Sequence, residues 1–148
     1  MTLLERLAQE LKAAMIAKDA DRLSTLRLLK SAAGYAQIER GTENLTDAEV
    51  IALIQKEVKK RRDSVEQFEK GGRPELASKE KQEITVLESF LPQPLAPDEL
   101  EQVIRAAIQE TGATSKKQMS QVIKAAQAKA AGRATGKSIS ELVGKLLP

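Results

Sequence analysis

Helix-initiation signals recur along this chain and restrict its fold more than any other feature. In a capping box, a Ser or Thr side chain and a Glu three residues later satisfy free amides at a helix start. Three pairs fit this pattern: Thr2 and Glu5, Thr46 and Glu49, and Ser138 and Glu141. Apolar residues follow each pair at helical spacing, and no segment alternates convincingly between apolar and polar residues. The sequence therefore predicts an all-α protein.

Glycine and proline predict where the helices end and where the chain divides. The glycines that close apolar-periodic segments are Gly41, Gly71-Gly72, Gly112 and Gly132. Asp19 or Asp21 begins the second helix, and Pro74 suits the first turn of the fourth. Pro92-Gln93-Pro94 interrupts helix twice, because proline lacks an amide donor and restricts the residue before it. We expect an N-terminal four-helix domain over residues 1–92 and a small three-helix C-terminal domain over residues 93–148.

The second helix carries two apolar stripes. One consists of Leu26, Leu29, Ala33 and Ala36, and the other of Leu28, Tyr35 and Ile38. Two stripes predict a helix that packs on two sides.

Composition excludes several kinds of chemistry. The 148 residues include no His, no Cys and no Trp, so His- or Cys-based nucleophilic catalysis and His- or Cys-ligated zinc are impossible. None of the many carboxylates stands alone in an apolar stretch, where burial would raise its pKa. We therefore expect no catalytic residues, no metal site and no cofactor. The charged N-terminus and the lack of a long apolar run predict no membrane association and a cytoplasmic protein.

Positive charge is concentrated at the C-terminal end. Residues 113–148 carry seven Lys and Arg and one acidic residue, whereas residues 1–112 carry 17 basic and 20 acidic residues. This end could be an ordinary solvated helical surface or a surface that binds a phosphate backbone. On the second interpretation, the phosphate contacts come from Lys116, Lys117, Lys124, Arg133 and Lys137, with Lys116 and Lys117 placed on the sixth helix. No aromatic residue follows Phe90, so recognition would depend on shape and phosphate, which favours folded RNA over sequence-specific DNA binding.

Two further segments resemble functional motifs. Residues 131–138, AGRATGKS, fit a relaxed phosphate-loop pattern, but the preceding VIKAAQAKAA predicts a helix, and a phosphate loop follows a strand. This segment is a connector that starts a helix at Ser138, or a loop that touches a nucleic-acid phosphate. The run from Lys59 to Arg62 is a basic patch or, more simply, a solvated helix face stabilised by i,i+4 ion pairs such as Glu57–Arg61 and Arg62–Glu66.

Three ordered segments resemble the GatB/YqeY family. They are residues 21–33, DRLSTLRLLKSAA; residues 61–92, RRDSVEQFEKGGRPELASKEKQEITVLESFLP; and residues 132–147, GRATGKSISELVGKLL. The family loop usually has Asp at the position of Thr135. The chain resembles most closely the small stand-alone members, whose C-terminal domain is similar to the tail domain of the B subunit of the glutamine-dependent aspartyl/glutamyl-tRNA amidotransferase.

The resemblance implies an all-helical, two-domain protein with kinship to carbon–nitrogen ligases that use glutamine as amido-N-donor. In that amidotransferase the tail domain contacts tRNA, while amide transfer belongs to other domains and subunits. The resemblance therefore implies a tRNA- or RNA-binding accessory protein without enzymatic activity of its own. One alternative is a protein–protein interaction module that grips a partner, or a copy of itself, through its N-terminal helices. Another is a ligase component that acts only in a complex.

Overall fold

Seven α-helices and one 3₁₀ turn make up the computed structural model, which describes residues 1–148. The helices are α1 (Leu3–Ala17), α2 (Ala20–Arg40), α3 (Asp47–Lys70), α4 (Pro74–Glu88), α5 (Pro97–Thr111), α6 (Met119–Ala130) and α7 (Gly136–Leu146), and the turn covers Lys116–Gln118. The all-α prediction, with four helices before Pro92 and three after Pro94, is confirmed. The chain forms two compact units, residues 1–91 and 92–148. None of the helices combines the length and apolar character that a membrane span requires.

Two of the three predicted capping boxes are confirmed, and the third is wrong. The Glu5 and Glu49 amides donate to the hydroxyls of Thr2 and Thr46, at 3.1 and 3.2 Å. The seventh helix, however, begins one turn before Ser138, because Thr135 takes the capping position. A start at Thr135 gains the hydrogen bond from the Ile139 amide to the Thr135 carbonyl, at 3.1 Å. A longer helix that is equally well capped is the more stable choice.

The glycine stops also match the structure closely. Gly41 and Gly112 end α2 and α5 with φ of 67°, in the left-handed region where glycine pays no steric penalty. Helix α6 ends at Ala130, and its capping residue is Ala131, with φ of 49°, one residue before the predicted Gly132, which has φ of 83°. Pro74 occupies the first turn of α4, as predicted.

The N-terminal unit packs an aliphatic core between its four helices. Leu26, Ile54 and Leu87 are fully buried, and Phe90 is the one aromatic residue in this core. The Arg6 guanidinium lies 4.8 Å from the centre of the Phe90 ring and donates to the Ser89 carbonyl at 2.8 Å. This contact attaches α1 to the end of α4.

Helix α2 packs on one side only, so the prediction of two packed sides is wrong within this unit. Leu26, Leu29 and Ala33 are buried in the core, whereas Leu28 is 48% exposed, Tyr35 76% and Ile38 81%. The core of the unit lies along one face of α2, and the second apolar stripe has no partner in this unit.

The C-terminal unit is a small bundle of α5, α6 and α7. Its core includes Ile104, Val122, Ala126, Ile139 and Val143, all buried. Helices α6 and α7 run antiparallel. Gly144, near the end of α7, lies against Met119 at the start of α6, and Gly136, at the start of α7, lies near Gln127 towards the end of α6. We call α6, α7 and the 3₁₀ turn that precedes α6 the α6–α7 hairpin.

Candidate nucleic-acid interface

Charge is distributed unevenly between the two units and within the second. Residues 1–91 carry 16 basic and 16 acidic residues, whereas residues 92–148 carry eight basic and five acidic residues. Four of those five acidic residues, Asp98, Glu99, Glu101 and Glu110, lie on α5. The α6–α7 hairpin and its connecting loop hold seven of the eight basic residues. Net positive charge therefore belongs to this hairpin.

Five lysines of the hairpin are exposed and form no ion pair. They are Lys116, Lys117, Lys124, Lys137 and Lys145. The ion pairs of this unit involve the other cations, namely Arg105 with Glu101, Lys129 with Glu110 and Arg133 with Glu99. A lysine without an ion pair can neutralise a phosphate without breaking a contact in the protein. The cations condensed on the nucleic acid are then released, with an entropic gain.

The predicted contact residues lie at different places along the hairpin. Lys116 and Lys117 are in the 3₁₀ turn, so their predicted position on the sixth helix is wrong. The Lys116 amide donates to the Pro148 carbonyl at 3.2 Å, which places the turn beside the end of α7. Lys124 lies opposite the buried edge of α6, and Lys137 is in the first turn of α7. The lysines thus extend along the hairpin and are not gathered at one end.

Arg133 differs from the four lysines because its side chain is already engaged. Its Nε donates to the Gln93 carbonyl at 2.8 Å, and its Nη2 lies 4.0 Å from Glu99. The Leu95 amide donates to the Arg133 carbonyl at 2.8 Å. Arg133 therefore fastens the segment before α5 to the loop between α6 and α7, a structural role that sequence reasoning missed. Local sequence carries no sign of this contact, because Arg133 and Gln93 are 40 residues apart.

The loop that resembles a phosphate-binding motif uses several of its amides in its own hydrogen bonds. It follows helix α6, as expected, and not a strand. The Ser138 amide donates to the Thr135 hydroxyl at 3.1 Å, and the two hydroxyls hydrogen-bond to each other at 2.9 Å. The position where the family usually has Asp is therefore a helix cap, and Thr and Asp both serve there.

The basic run from Lys59 to Arg62 carries ion pairs, as the simpler interpretation predicted, but it is not a solvated face throughout. Arg61 is only 13% exposed and pairs with Glu57 at 3.7 Å and with Glu83 at 3.0 Å. Arg62 pairs with Glu88 on α4 at 2.8 Å, a partner 26 residues away.

One carboxylate is perturbed, so the expectation that burial would raise no carboxyl pKa is wrong. Burial raises the pKa of Glu80 above its ordinary value of 4.5, the Glu83 carboxylate raises it further, and Arg61 and Lys79 oppose the shift. Lys79 and Lys81 flank Glu80 in the sequence, a pattern typical of a solvated helix surface. Glu80 instead lies half-buried, close enough to Glu83 and Arg61 to feel their charges.

Comparison with known proteins identifies the family. The model of the Yqey-like proteins matches residues 4–147, almost the whole chain. The chain belongs to the YqeY-like family. This confirms the resemblance that the three sequence segments indicated.

Curated relatives of this YqeY-like chain match over part of their length. An uncharacterized protein of Schizosaccharomyces pombe is 37% identical over 79 residues, 53% of this chain and 63% of that protein. The protein named altered inheritance of mitochondria protein 41, mitochondrial, is 36% identical over 87 residues in Lachancea thermotolerans, 59% of this chain and 46% of that protein. Its namesake in Kluyveromyces lactis is 34% identical over 84 residues, 57% of this chain and 45% of that protein. The matched region thus spans less than two thirds of each of these relatives.

Proposed function

We propose that this YqeY-like protein binds folded RNA, with tRNA as the preferred candidate, through the phosphate backbone. The observation that carries the proposal is the set of exposed lysines without ion pairs on the α6–α7 hairpin. Lys116, Lys117, Lys124 and Lys137 supply the main contacts, and Arg133 adds charge while it holds Gln93. Exposed ammonium groups need no conformational change to reach a phosphate.

The proposed mode of recognition is the shape of the RNA rather than its bases. The only aromatic residues are Tyr35, Phe68 and Phe90, and all precede the C-terminal unit. Lysine contacts to phosphate position a protein but carry no sequence information. The bound RNA is therefore discriminated by the spacing of its phosphates, as in shape-directed recognition of A-form helices.

A salt titration of tRNA binding tests the proposal. About four phosphate contacts give a slope of log affinity against log salt of roughly −3 to −4. A variant in which the four lysines become Gln loses most of this slope. The matched control replaces four exposed lysines of the N-terminal unit, Lys12, Lys18, Lys56 and Lys59, with the same net change in charge. Equal weakening by both variants would reject the hairpin as the binding surface.

A second function is favoured by the outer face of α2. Leu28, Tyr35 and Ile38 are exposed in a unit whose other large apolar side chains mostly pack in its core. Such a face suits a protein–protein contact through the N-terminal helices. The exposed stripe lies on the side of α2 away from the core. Pull-down with the chain and with its Tyr35→Ser variant tests this function.

The cytoplasm remains the proposed location. Several curated relatives carry the word mitochondrial in their names, which describes those proteins. Imaging a fluorescent fusion in the source cells, with the tag at either end, tests the proposal.

A further inference from the structure

The solvent face of α2 has the spacing of a helix–helix seam. Its residues recur at alternating intervals of four and three, the repeat that coiled-coil contacts use. They are Ala20, Ser24, Arg27, Ser31, Gly34 and Ile38, with Leu28 and Tyr35 along one edge. All of them are exposed except Gly34, which is half-exposed. This seam extends over most of the helix, and none of its residues belongs to the core of the unit.

The seam alternates between projections and hollows. Tyr35 and Ile38 project from its C-terminal half, 76% and 81% exposed. A shallow depression of ≈ 320 Å³ lies in its N-terminal half. Its floor and walls consist of the small residues Ala20, Ser24 and Ser31 and of the larger Leu23, Arg27 and Leu28. A second depression lies at the C-terminal end of the helix, lined in part by Gly34, Gln37 and Ile38. The two largest projections therefore stand in the C-terminal half, and the depression in the N-terminal half has no such projection above it.

We propose that the occupant of this face is a second copy of the chain, packed antiparallel through α2. An antiparallel copy places the projections of each molecule over the hollow of the other, and two-fold symmetry makes the contact occur twice. With Ser31 of one copy opposite Gly34 of the other, Ile38 lies against Ser24 and Arg27, and Leu28 lies against Tyr35. The small residues at the centre allow the two helices to approach closely.

Charge selects the antiparallel arrangement over the parallel one. In a parallel pair, every seam residue meets its own copy, so Arg27 would face Arg27 in a desolvated contact, which is costly. In the antiparallel pair, Arg27 lies beside Ile38 and Tyr35, where its aliphatic stem packs and its guanidinium reaches solvent. Lys30 then lies near Gln37, and the two copies of Lys30 are offset along the helix by about 8 Å.

The size of the surface sets the strength of the association. The 21 residues of α2 form a helix about 31 Å long. A contact along one such helix is smaller than a standard interface of about 1,600 Å². We therefore expect a reversible dimer with a dissociation constant on the order of micromolar.

Sedimentation equilibrium of the purified full chain over a wide range of concentration tests the proposal. The expected result is a monomer–dimer equilibrium that Tyr35→Ser with Ile38→Ser weakens by about tenfold or more. The matched control is Ile16→Ser on α1, which removes an isoleucine with 74% exposure outside the seam. A monomer at all concentrations, or equal weakening by Ile16→Ser, overturns the proposal. Circular dichroism verifies that these surface variants keep their helical content.

Distances between spin labels test the orientation. The chain has no cysteine, so Lys30→Cys and Asp21→Cys each introduce a single labelling site. From a rise of 1.5 Å per residue, the two copies of position 30 are offset along the helix by about 8 Å, and those of position 21 by about 35 Å. Equal short distances for both sites would indicate a parallel pair and contradict the proposed contact.

This inference rests on the second function proposed above. Self-association is measured without RNA or other proteins. A monomeric result would therefore reject the dimer and leave the proposed contact with a different protein untouched. RNA binding and capture of a different protein are measured separately.

Discussion

Arg133 donates a hydrogen bond to the Gln93 carbonyl at 2.8 Å, across 40 residues of sequence. The same residue accepts the Leu95 amide through its own carbonyl. The segment that leads into α5 is therefore fastened to the loop between α6 and α7. This contact separates Arg133 from the lysines with which it was grouped on charge alone.

Replacement of Arg133 by Ala should destabilise the protein by about 1 kcal/mol, because the Gln93 carbonyl loses its charged donor. Lys124→Ala should leave stability within about 0.5 kcal/mol but reduce the salt slope of RNA binding by about 0.9. Urea denaturation and salt titrations of RNA binding measure the two effects. Equal stability losses for the two variants would contradict the structural role of Arg133.

The pair formed by Arg61 and Glu83 should matter more than the pair formed by Arg62 and Glu88. Arg61 is 13% exposed and stands between two carboxylates, so Arg61→Met leaves Glu57 and Glu83 facing each other and costs about 2 kcal/mol. Arg62 is 49% exposed, and Arg62→Met should cost less than about 1 kcal/mol. Denaturant unfolding of both variants tests the difference. Addition of Glu83→Gln to Arg61→Met should recover part of the loss, and a further loss would count against the pair.

Thr135 should contribute more to α7 than Ser138 does. Thr135→Ala removes the side chain that accepts the Ser138 amide and should cost about 1 kcal/mol, whereas Thr135→Asp keeps an acceptor and should cost little. Ser138→Ala removes the hydroxyl that hydrogen-bonds to the Thr135 hydroxyl, but it leaves the bond from the Ser138 amide to Thr135 in place. Thermal unfolding of the three variants ranks them, and a larger loss for Ser138→Ala would place the helix start at Ser138 after all.

The raised pKa of Glu80 predicts a specific dependence of the stability of the protein on pH. Because its pKa is raised on folding, the folded state binds the proton more tightly than the unfolded state does. Its stabilising contribution is fully present below pH 4.5 and is lost as pH rises through the folded pKa. Glu80→Gln should therefore raise the melting temperature at neutral pH, and the difference from the parent protein should disappear below pH 4.5. A difference that persists in acid would assign the effect to packing and not to ionisation.

Local signals placed most of the helices correctly because caps and stops act within a few residues. The hydroxyls of Thr2 and Thr46, the left-handed glycines at 41 and 112, and Pro74 each satisfy or break backbone hydrogen bonds in their own turn. The same reasoning misplaced the start of α7, since Thr135 and Ser138 offer the same chemistry three residues apart. Only the extra hydrogen bond of the longer helix decided between them.

The sequence by itself determined the helical class, the interruption of helix at Pro92-Gln93-Pro94, the aliphatic core and the excess of positive charge near the C-terminus. Only the tertiary structure decided which apolar stripe of α2 is buried, which cations are free and which carboxylate is desolvated. Periodicity shows that a face is apolar but not whether another element covers it, as Tyr35 and Ile38 illustrate. Charge counts likewise show that Arg133 and Lys124 are cations, but the Gln93 carbonyl that occupies Arg133 comes from a distant segment. Such partners are set by the packing of helices, and packing is a property of the whole chain.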